Sequence, residues 1–280
     1  MTSRSVEPPR GAVATRPVTA ALAPAPGETV GETVRRLVGV QKGARGAPAY
    51  GRFVNRPMGR LLAAAAFHRG LTPDAVTGLS ACCTAVGIAA IALAPHTWVV
   101  GILVATCLVV GYALDAADGQ LARLRGGGSP AGEWLDHMVD AAKSASLHQA
   151  VLVGLYRRED VDHAWLLIPL AFCVVDVVHF FATLLNEALR SQHGATTRST
   201  PTEGRPSVLR SVVVLPTDYG VLCLVFVLLG SPVAFLSAYG LMLVGTAGYL
   251  FLALPHWRSE MVRLGARALP ATGTTAHPMR

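Results

Sequence analysis

Apolar residues form long continuous runs along most of this chain, and polar residues are concentrated in short stretches between the runs. Six runs follow residue 72, and each is about as long as the ~20 residues that an α-helix needs to cross the hydrocarbon of a bilayer. Their approximate limits are 75–94, 97–124, 132–156, 163–189, 211–230 and 232–254. The pattern predicts an all-α integral membrane protein with six transmembrane helices.

The residues before the first run have a different pattern. Residues 1–31 contain no continuous apolar core, which predicts a disordered cytoplasmic tail rather than a signal peptide. In the juxtamembrane segment 32–70, arginines alternate with apolar residues, and its second half, 54–68, predicts an amphipathic helix lying on the membrane surface. A solvated charged helix is the alternative. The six-span domain is then expected over 71–257, followed by a cytoplasmic tail over 258–280.

The chain has 280 residues, of which 52% are hydrophobic, and its net charge is +7. Arginine and lysine number eleven in the first 70 residues and recur after every second run, which predicts that both termini face the cytoplasm. Lipid headgroups and phosphorylated substrates are the partners expected for these residues; nucleic acid is not, because no folded basic module is visible. The alanine-rich, arginine-rich composition suggests a bacterial cell membrane.

Four aspartates lie at the facing ends of the second and third runs. They are Asp115, Asp118, Asp136 and Asp140. Within each run the two aspartates are three or four residues apart, so a helix would place them on one face. The turn between the runs, 125–131, is rich in glycine and closes with Ser129-Pro130, which folds one helix back against the other. The four carboxylates are therefore expected to meet.

Clustered carboxylates at the edge of a membrane repel one another unless a cation compensates them. Oxygen ligands without a nearby cysteine suit Mg²⁺ or Mn²⁺, and a pair of such ions suits displacement at phosphorus. Gly119, Ala122 and Gly132 leave room for a ligand beside the carboxylates, and Arg123 offers a forked guanidinium to a phosphate. Alternatively, the aspartates cap helices and pair with basic residues without binding a metal. The candidate basic residues are Arg123, Arg125 and Lys143.

The spacing of these residues resembles the signature of the CDP-alcohol phosphatidyltransferase family. The matching positions are Asp115-x2-Asp118-Gly119-x2-Ala122-Arg123-x8-Gly132-x3-Asp136-x3-Asp140. Eight specified positions at fixed spacing make the resemblance specific. It implies a six-helix membrane enzyme, usually a homodimer, with a surface helix before the first span. Such an enzyme splits the pyrophosphate of a CDP-linked substrate and passes a phosphoryl-bearing group to an alcohol.

The resemblance also implies a role for each matching residue. Asp115, Asp118 and Asp136 would be metal ligands, and Asp140 would be both a ligand of the second metal and the general base. The residues implied to line the CDP site are Gly119, Ala122, Arg123 and Gly132.

Of three candidate functions, the pattern favours transfer of a phosphatidyl group from CDP-diacylglycerol to a small alcohol, such as glycerol phosphate, inositol phosphate or serine. In the alternative, donor and acceptor are exchanged: CDP carries a small polar headgroup, and a lipid supplies the acceptor hydroxyl. An ion-coupled transporter is disfavoured, because the aspartates cluster at one membrane edge and no inverted repeat is visible.

Polar residues also recur within the later runs. The fourth run carries a polar stripe at helical spacing: Asp176, His179, Thr183, Asn186, Glu187 and Arg190. The stripe lines an acceptor-alcohol cavity or forms an internal hydrogen-bond network, and the sequence favours neither. In the fifth run, residues 216–219 predict an interruption, and Asp218 is expected to be a buried partner for an arginine or histidine, with a catalytic role as the alternative. The five cysteines lack zinc or disulfide spacing and are expected to be small core residues.

Overall fold

The computed structural model describes residues 23–39, 48–196 and 215–268 of the chain. Within these ranges the regular structure is helical and no β-strand is present. Several expectations concern other residues and lie outside the described part. They are most of the N-terminal tail (1–22), a stretch of the basic juxtamembrane segment (40–47), the loop and start of the fifth run (197–214), and the end of the C-terminal tail (269–280).

The α-helices of the described part are numbered here in chain order. They are α1 (Val30–Gly39), α2 (Arg56–His68), α3 (Pro73–Leu93), α4 (Trp98–Leu124), α5 (Pro130–Tyr156), α6 (Leu167–Gln192), α7 (Tyr219–Val225) and α8 (Pro232–Ala268). A π-helical turn, Gly51–Asn55, leads into α2, and short 3₁₀ turns flank α6 and α7.

Four helical segments are long and apolar enough to cross a membrane. They are Pro73–Leu93, Trp98–Leu124, His163–Gln192 and Pro232–Ala266. The third and fifth predicted runs do not reach that standard, because α5 carries charged residues in its first half and the segment Tyr219–Gly230 is short. The all-helical fold is therefore confirmed, whereas six spans and a surface position for α2 remain predictions.

Capping residues explain where three of the helices begin. Thr72, Thr97 and Ser129 each accept a hydrogen bond from the backbone N–H three residues later, at 3.0–3.2 Å. Pro73 and Pro130 occupy the first helical position, where a missing N–H costs nothing. The start of α3 at Thr72-Pro73 and the start of α5 after Ser129 follow directly from these residues.

Two buried apolar clusters hold the helices together. The larger one joins α3 to α8 and contains, among others, Ile91, Leu108, Leu147, Phe172, Phe226 and Tyr239. The smaller one packs Leu37 of α1 and Phe67 of α2 against Leu121 of α4. Gly59 lets α2 approach α4 closely, since a Cβ there would lie 2.9 Å from the Cβ of Ala116. The helices before the first span are thus attached to the helix that carries Asp115 and Asp118.

A close crossing between α3 and α4 occurs at Gly111. The hydroxyl of Ser80 donates a hydrogen bond to the carbonyl of Gly111 at 2.8 Å, and a Cβ at Gly111 would overlap Oγ1 of Thr84. This crossing lies one helical turn before Asp115, so it brings the polar side chains of α3 next to the aspartates of α4.

The fifth run is interrupted, as its sequence predicts. A 3₁₀ turn over Leu215–Thr217 precedes α7, and a second over Phe226–Gly230 follows it. Asp218 is buried, but its partners are not the expected arginine or histidine. Its carboxylate accepts hydrogen bonds from the backbone N–H groups of Tyr50, Gly51 and Gly220, at 2.7, 3.2 and 3.1 Å.

Two further expectations are modified by the structure. Helix α8 continues through residue 257, where the six-span domain was expected to end, and contains Pro255. All five cysteines are free, but only Cys223 is buried, and Cys82 is exposed. The expectation that every cysteine is a core residue is wrong for Cys82, which lies on the outer surface of α3, and is fully met only by Cys223.

Candidate active site

The turn between α4 and α5 positions the four aspartates. Helix α4 ends at Leu124 and α5 begins at Pro130. Gly126 and Gly127 have φ angles of 95° and 134°, which residues with a side chain rarely adopt. The chain can therefore reverse within a few residues and lay the start of α5 against the end of α4.

Asp115 of α4 and Asp140 of α5 share one basic partner, Lys143. The ammonium of Lys143 lies between them and donates hydrogen bonds to Oδ1 of Asp115 at 2.6 Å and to Oδ1 of Asp140 at 3.3 Å. A third hydrogen bond, at 3.1 Å, joins the same ammonium to Oγ of Ser80 on α3. Because Lys143 is buried, three helices meet at one buried cation.

Asp118 is held by different neighbours. It is 5% exposed, its Oδ2 accepts a hydrogen bond from the hydroxyl of Thr77 at 2.6 Å, and its Oδ1 accepts one from the N–H of Gly119 at 2.5 Å. The bond from Thr77 has the length expected for a hydroxyl that donates to a carboxylate, so it fixes the orientation of this side chain. Thr77 lies on α3, one turn after the cap that starts the helix.

Asp136 belongs to a group on one face of α5 that also contains His137 and Asp140. Each of the three offers a ligand atom, and these atoms lie within 4.8 Å of one another. All three side chains are partly buried, and two carboxylates with one imidazole form a donor set that suits a divalent cation. The group contains two of the four expected ligands, Asp136 and Asp140, whose carboxylates fit Mg²⁺ or Mn²⁺; Asp115 and Asp118 are not part of it.

The residues expected at the nucleotide lie near the aspartates along α4 and at the start of α5. A Cβ on Gly119 would lie 3.6 Å from Nη1 of Arg123, and one on Gly132 would lie 3.2 Å from Oδ1 of Asp74. Ala122 is partly buried one turn after Asp118. The Nε of Arg123 is buried and has no hydrogen-bond partner among the described residues. Its guanidinium thus retains a donor for a ligand.

The alternative in which basic residues pair with the aspartates holds in part. Lys143 pairs with Asp115 and Asp140, at 2.6 and 3.3 Å. Arg125 instead donates a hydrogen bond to the carbonyl of Leu71 at 2.7 Å, which ties the end of α4 to the start of α3. One of the ion pairs of Lys143 therefore engages Asp140, which also belongs to the group with Asp136 and His137.

Three residues near the site have no role predicted from the sequence. They are Asp74, Thr77 and His137. His137 could have been suspected from its spacing to Asp140, since it lies three residues before it on α5. Asp74 and Thr77 belong to α3, and nothing in their local sequence indicates which helix they face.

The polar stripe of α6 packs against two neighbouring helices. Asp176 lies 3.4 Å from Nε2 of His148 on α5, and His148 is fully buried. The ring of His179 stacks on that of Trp257 of α8, with centroids 6.3 Å apart. These contacts favour an internal network over an acceptor cavity at both positions of the stripe.

The last residue of the stripe is engaged by carboxylates. Arg190 donates to Oε1 and Oε2 of Glu260 on α8 at 2.8 and 2.5 Å, and to Oε1 of Glu187 at 2.7 Å. A guanidinium held in this bidentate way joins α6 to α8. It is occupied by protein carboxylates rather than open to an acceptor phosphate.

Comparison with known proteins identifies the family. The sequence model of the CDP-alcohol phosphatidyltransferases matches residues 70–249, a range that contains all eight signature positions and both sides of the aspartate site. Among curated proteins, no match to the chain is found. The chain therefore belongs to the CDP-alcohol phosphatidyltransferase family, whose members transfer a substituted phosphate from a CDP-alcohol to an acceptor alcohol in lipid synthesis.

Proposed function

We propose that this protein transfers the phosphatidyl group of CDP-diacylglycerol to a small alcohol and releases CMP. The observation that carries the proposal is the bridge that Lys143 forms between Asp115 of α4 and Asp140 of α5, beside the group of Asp136, His137 and Asp140. In a chain of this family, that arrangement supports the roles that the signature implies.

The four aspartates would hold Mg²⁺ or Mn²⁺, as a pair of ions. When bound, these ions neutralise the pyrophosphate of the CDP-linked substrate and the charge that develops on the departing CMP. The short hydrogen bond from Thr77 supports the assignment of Asp118 as a ligand, because it fixes a carboxylate that would otherwise rotate.

In the proposed reaction, Asp140 is the general base. Its carboxylate accepts the proton of the acceptor hydroxyl while the hydroxyl oxygen bonds to the β-phosphorus of CDP-diacylglycerol. The bond between that phosphorus and the bridging oxygen breaks, and CMP leaves with the oxygen. The side chain of Asp140 is 31% exposed, which supports this role because the acceptor must be able to reach the base.

The nucleotide is proposed to lie along the α4 side of the site. Gly119, Ala122 and Gly132 present little or no side chain there, so a flat base or a phosphate can approach the backbone. Arg123 would direct its guanidinium to a phosphate oxygen, and its unpartnered Nε supports this assignment.

The proposal includes a placement in the membrane. All six apolar runs cross the bilayer, α2 lies on its surface, and the termini and the aspartates face the cytoplasm of a bacterial cell. Exposed apolar residues along the helices, such as Val99, Leu241 and Phe251, support contact with lipid. A homodimer is the proposed assembly, on the family resemblance alone.

Release of CMP by the purified full-length protein tests the function. CDP-diacylglycerol would be offered with glycerol phosphate, inositol phosphate or serine, and a CDP-linked headgroup would be offered with diacylglycerol. We expect CMP only in the first set, with loss in excess EDTA and recovery with Mg²⁺ or Mn²⁺. CMP only in the second set would reverse the assignment of donor and acceptor, and CMP in neither set would end the proposal.

A further inference from the structure

Lys143 lies where three helices converge on the acidic site. Its ammonium has three protons and makes three hydrogen bonds: to Ser80 of α3, Asp115 of α4 and Asp140 of α5. The residue is 9% exposed. All of its donor capacity is therefore directed into the site and none toward water.

A buried ammonium is costly to desolvate, and it is retained only where opposite charges compensate it. The chain strongly prefers arginine, since Lys143 is one of only two lysines among 24 lysines and arginines. A compact ammonium on a flexible stem can fit between two carboxylates on different helices, whereas the planar guanidinium of arginine requires more room. The ammonium of Lys143 thus resembles a metal ion in its size and in its carboxylate contacts.

The ammonium of Lys143 also engages two of the carboxylate oxygens that could bind a metal ion. It takes Oδ1 of Asp115 and Oδ1 of Asp140, the two carboxylates that link α4 to α5. The group of Asp136, His137 and Asp140 lies on α5 and shares Asp140 with the lysine. The position between Asp115 of α4 and Asp140 of α5 therefore already contains a positive charge.

We propose that Lys143 is a resident counter-ion that fills the cation position between Asp115 and Asp140 in the enzyme without nucleotide. The enzyme then binds one divalent ion before substrate arrives, and the second comes with the pyrophosphate, whose added negative charge offsets the lysine. The inference rests on the proposed function for its two-ion requirement during turnover. Lys143 acts through the two aspartates, so it is a positioning residue.

The test measures how many Mn²⁺ ions bind to the full-length protein in detergent. The protein is first stripped of metal, and no nucleotide is added. Bound Mn²⁺ is obtained from the decrease in the electron paramagnetic resonance signal of free Mn²⁺. We expect one ion per chain for the wild type and two for Lys143→Met, which keeps the length of the side chain and removes its charge. Lys143→Arg should retain a count of one. Ser80→Ala, which removes a contact of the lysine and no charge, is the matched control and should also retain one.

A second readout is the midpoint of thermal unfolding in excess EDTA. The wild type should keep its midpoint, whereas Lys143→Met should lose several degrees in EDTA and recover them with Mn²⁺, because Asp115 and Asp140 then lack a counter-ion. If Lys143→Met does not fold, the wild-type count decides alone. A wild-type count of zero or two without nucleotide overturns the inference, as does a Lys143→Met protein that binds one ion.

These measurements use no substrate, so they separate the inference from the proposed function. One ion on the wild type and two on Lys143→Met, without release of CMP under any condition, would support the counter-ion and reject the reaction. Release of CMP by a wild type that already binds two ions without nucleotide would do the reverse.

Discussion

The carboxylate of Asp218 binds the backbone N–H of Tyr50 at 2.7 Å, although the two residues are 168 positions apart in the chain. The same carboxylate accepts a hydrogen bond from the N–H of Gly51 and caps α7 through the N–H of Gly220. One buried side chain therefore joins the helical segment before the first span to the interrupted fifth run.

Replacing Asp218 with alanine should lower the thermal stability of the protein. Three backbone N–H groups would lose a charged acceptor, and such bonds contribute roughly 1.5–3 kcal/mol each before any rearrangement. We expect the midpoint of thermal unfolding in detergent to fall by several degrees. Asp160→Ala is the control, because the Asp160 side chain is 60% exposed and its loss should leave the midpoint unchanged. Equal midpoints for both variants would contradict the role of Asp218.

Replacing Thr77 with valine should weaken metal binding. The change keeps the shape of the side chain but removes the hydroxyl that orients Asp118, and loss of such a supporting bond typically costs ~10–100-fold in metal affinity. The half-saturating concentration of Mn²⁺ for CMP release should rise accordingly. Thr77→Ser retains the hydroxyl and should stay near the wild-type value. A normal Mn²⁺ dependence in Thr77→Val would mean that Asp118 does not need this contact.

Two amide substitutions separate the roles within the aspartate group. Asp140→Asn removes the proton acceptor, so the rate should fall by roughly 10² to 10⁴ while CDP binding survives. Asp118→Asn should instead weaken metal affinity, and high Mg²⁺ or Mn²⁺ should restore part of its activity. The measurement is CMP release beside nucleotide binding across a metal titration. Equal defects that metal restores in both variants would remove Asp140 from its special role.

The ion pair between Arg190 and Glu260 should stabilise the packing of α6 against α8. A double-mutant cycle with Arg190→Met and Glu260→Gln should give a coupling of about 1 kcal/mol in the free energy of unfolding, because the pair is bidentate and the Arg190 side chain is only 13% exposed. If Arg190 instead bound the phosphate of the acceptor, Arg190→Met would raise the KM for a phosphorylated acceptor and show little coupling to Glu260.

Reporter fusions should establish the orientation in the membrane. A reporter fused after Arg158 is expected on the outer face, and reporters after Thr200 and at the C-terminus are expected inside, because most positive charge lies on that side. An external C-terminus would exclude the six-span arrangement.

The sequence predicts the parts of this site that depend on spacing along one helix. Asp115 and Asp118 share a face of α4, and the glycine turn with its Ser129 cap can be recognised from the residues themselves. The contacts of Thr77 and Ser80 depend on how α3 crosses α4 at Gly111, and no local pattern determines that crossing. The side chains that hold the aspartates are therefore determined by the packing of α3 on α4 and not by local sequence.

The partners of buried polar groups show the same limit. Periodicity placed Asp176 and Arg190 on one face of α6, but it could not identify His148 and Glu260 as the groups opposite them. For Asp218, burial could be expected from an aspartate in an apolar run. Its partners are backbone N–H groups, which every residue except proline possesses and which leave no mark in the sequence.

The charged residues of α5 bear on how the protein is made. Glu133, Asp136, Asp140 and Lys143 all lie in the first half of this helix, and translocon measurements assign ~2.5–3.5 kcal/mol to one aspartate or lysine at the centre of an inserting helix. If α5 spans the bilayer as proposed, the free energy of moving it from the translocon into the lipid as a single helix would be too unfavourable. Its insertion would have to wait for α4, so that the two helices enter as a hairpin with Lys143 already beside Asp115. The ion pair that organises the site would then also be a condition for its biogenesis.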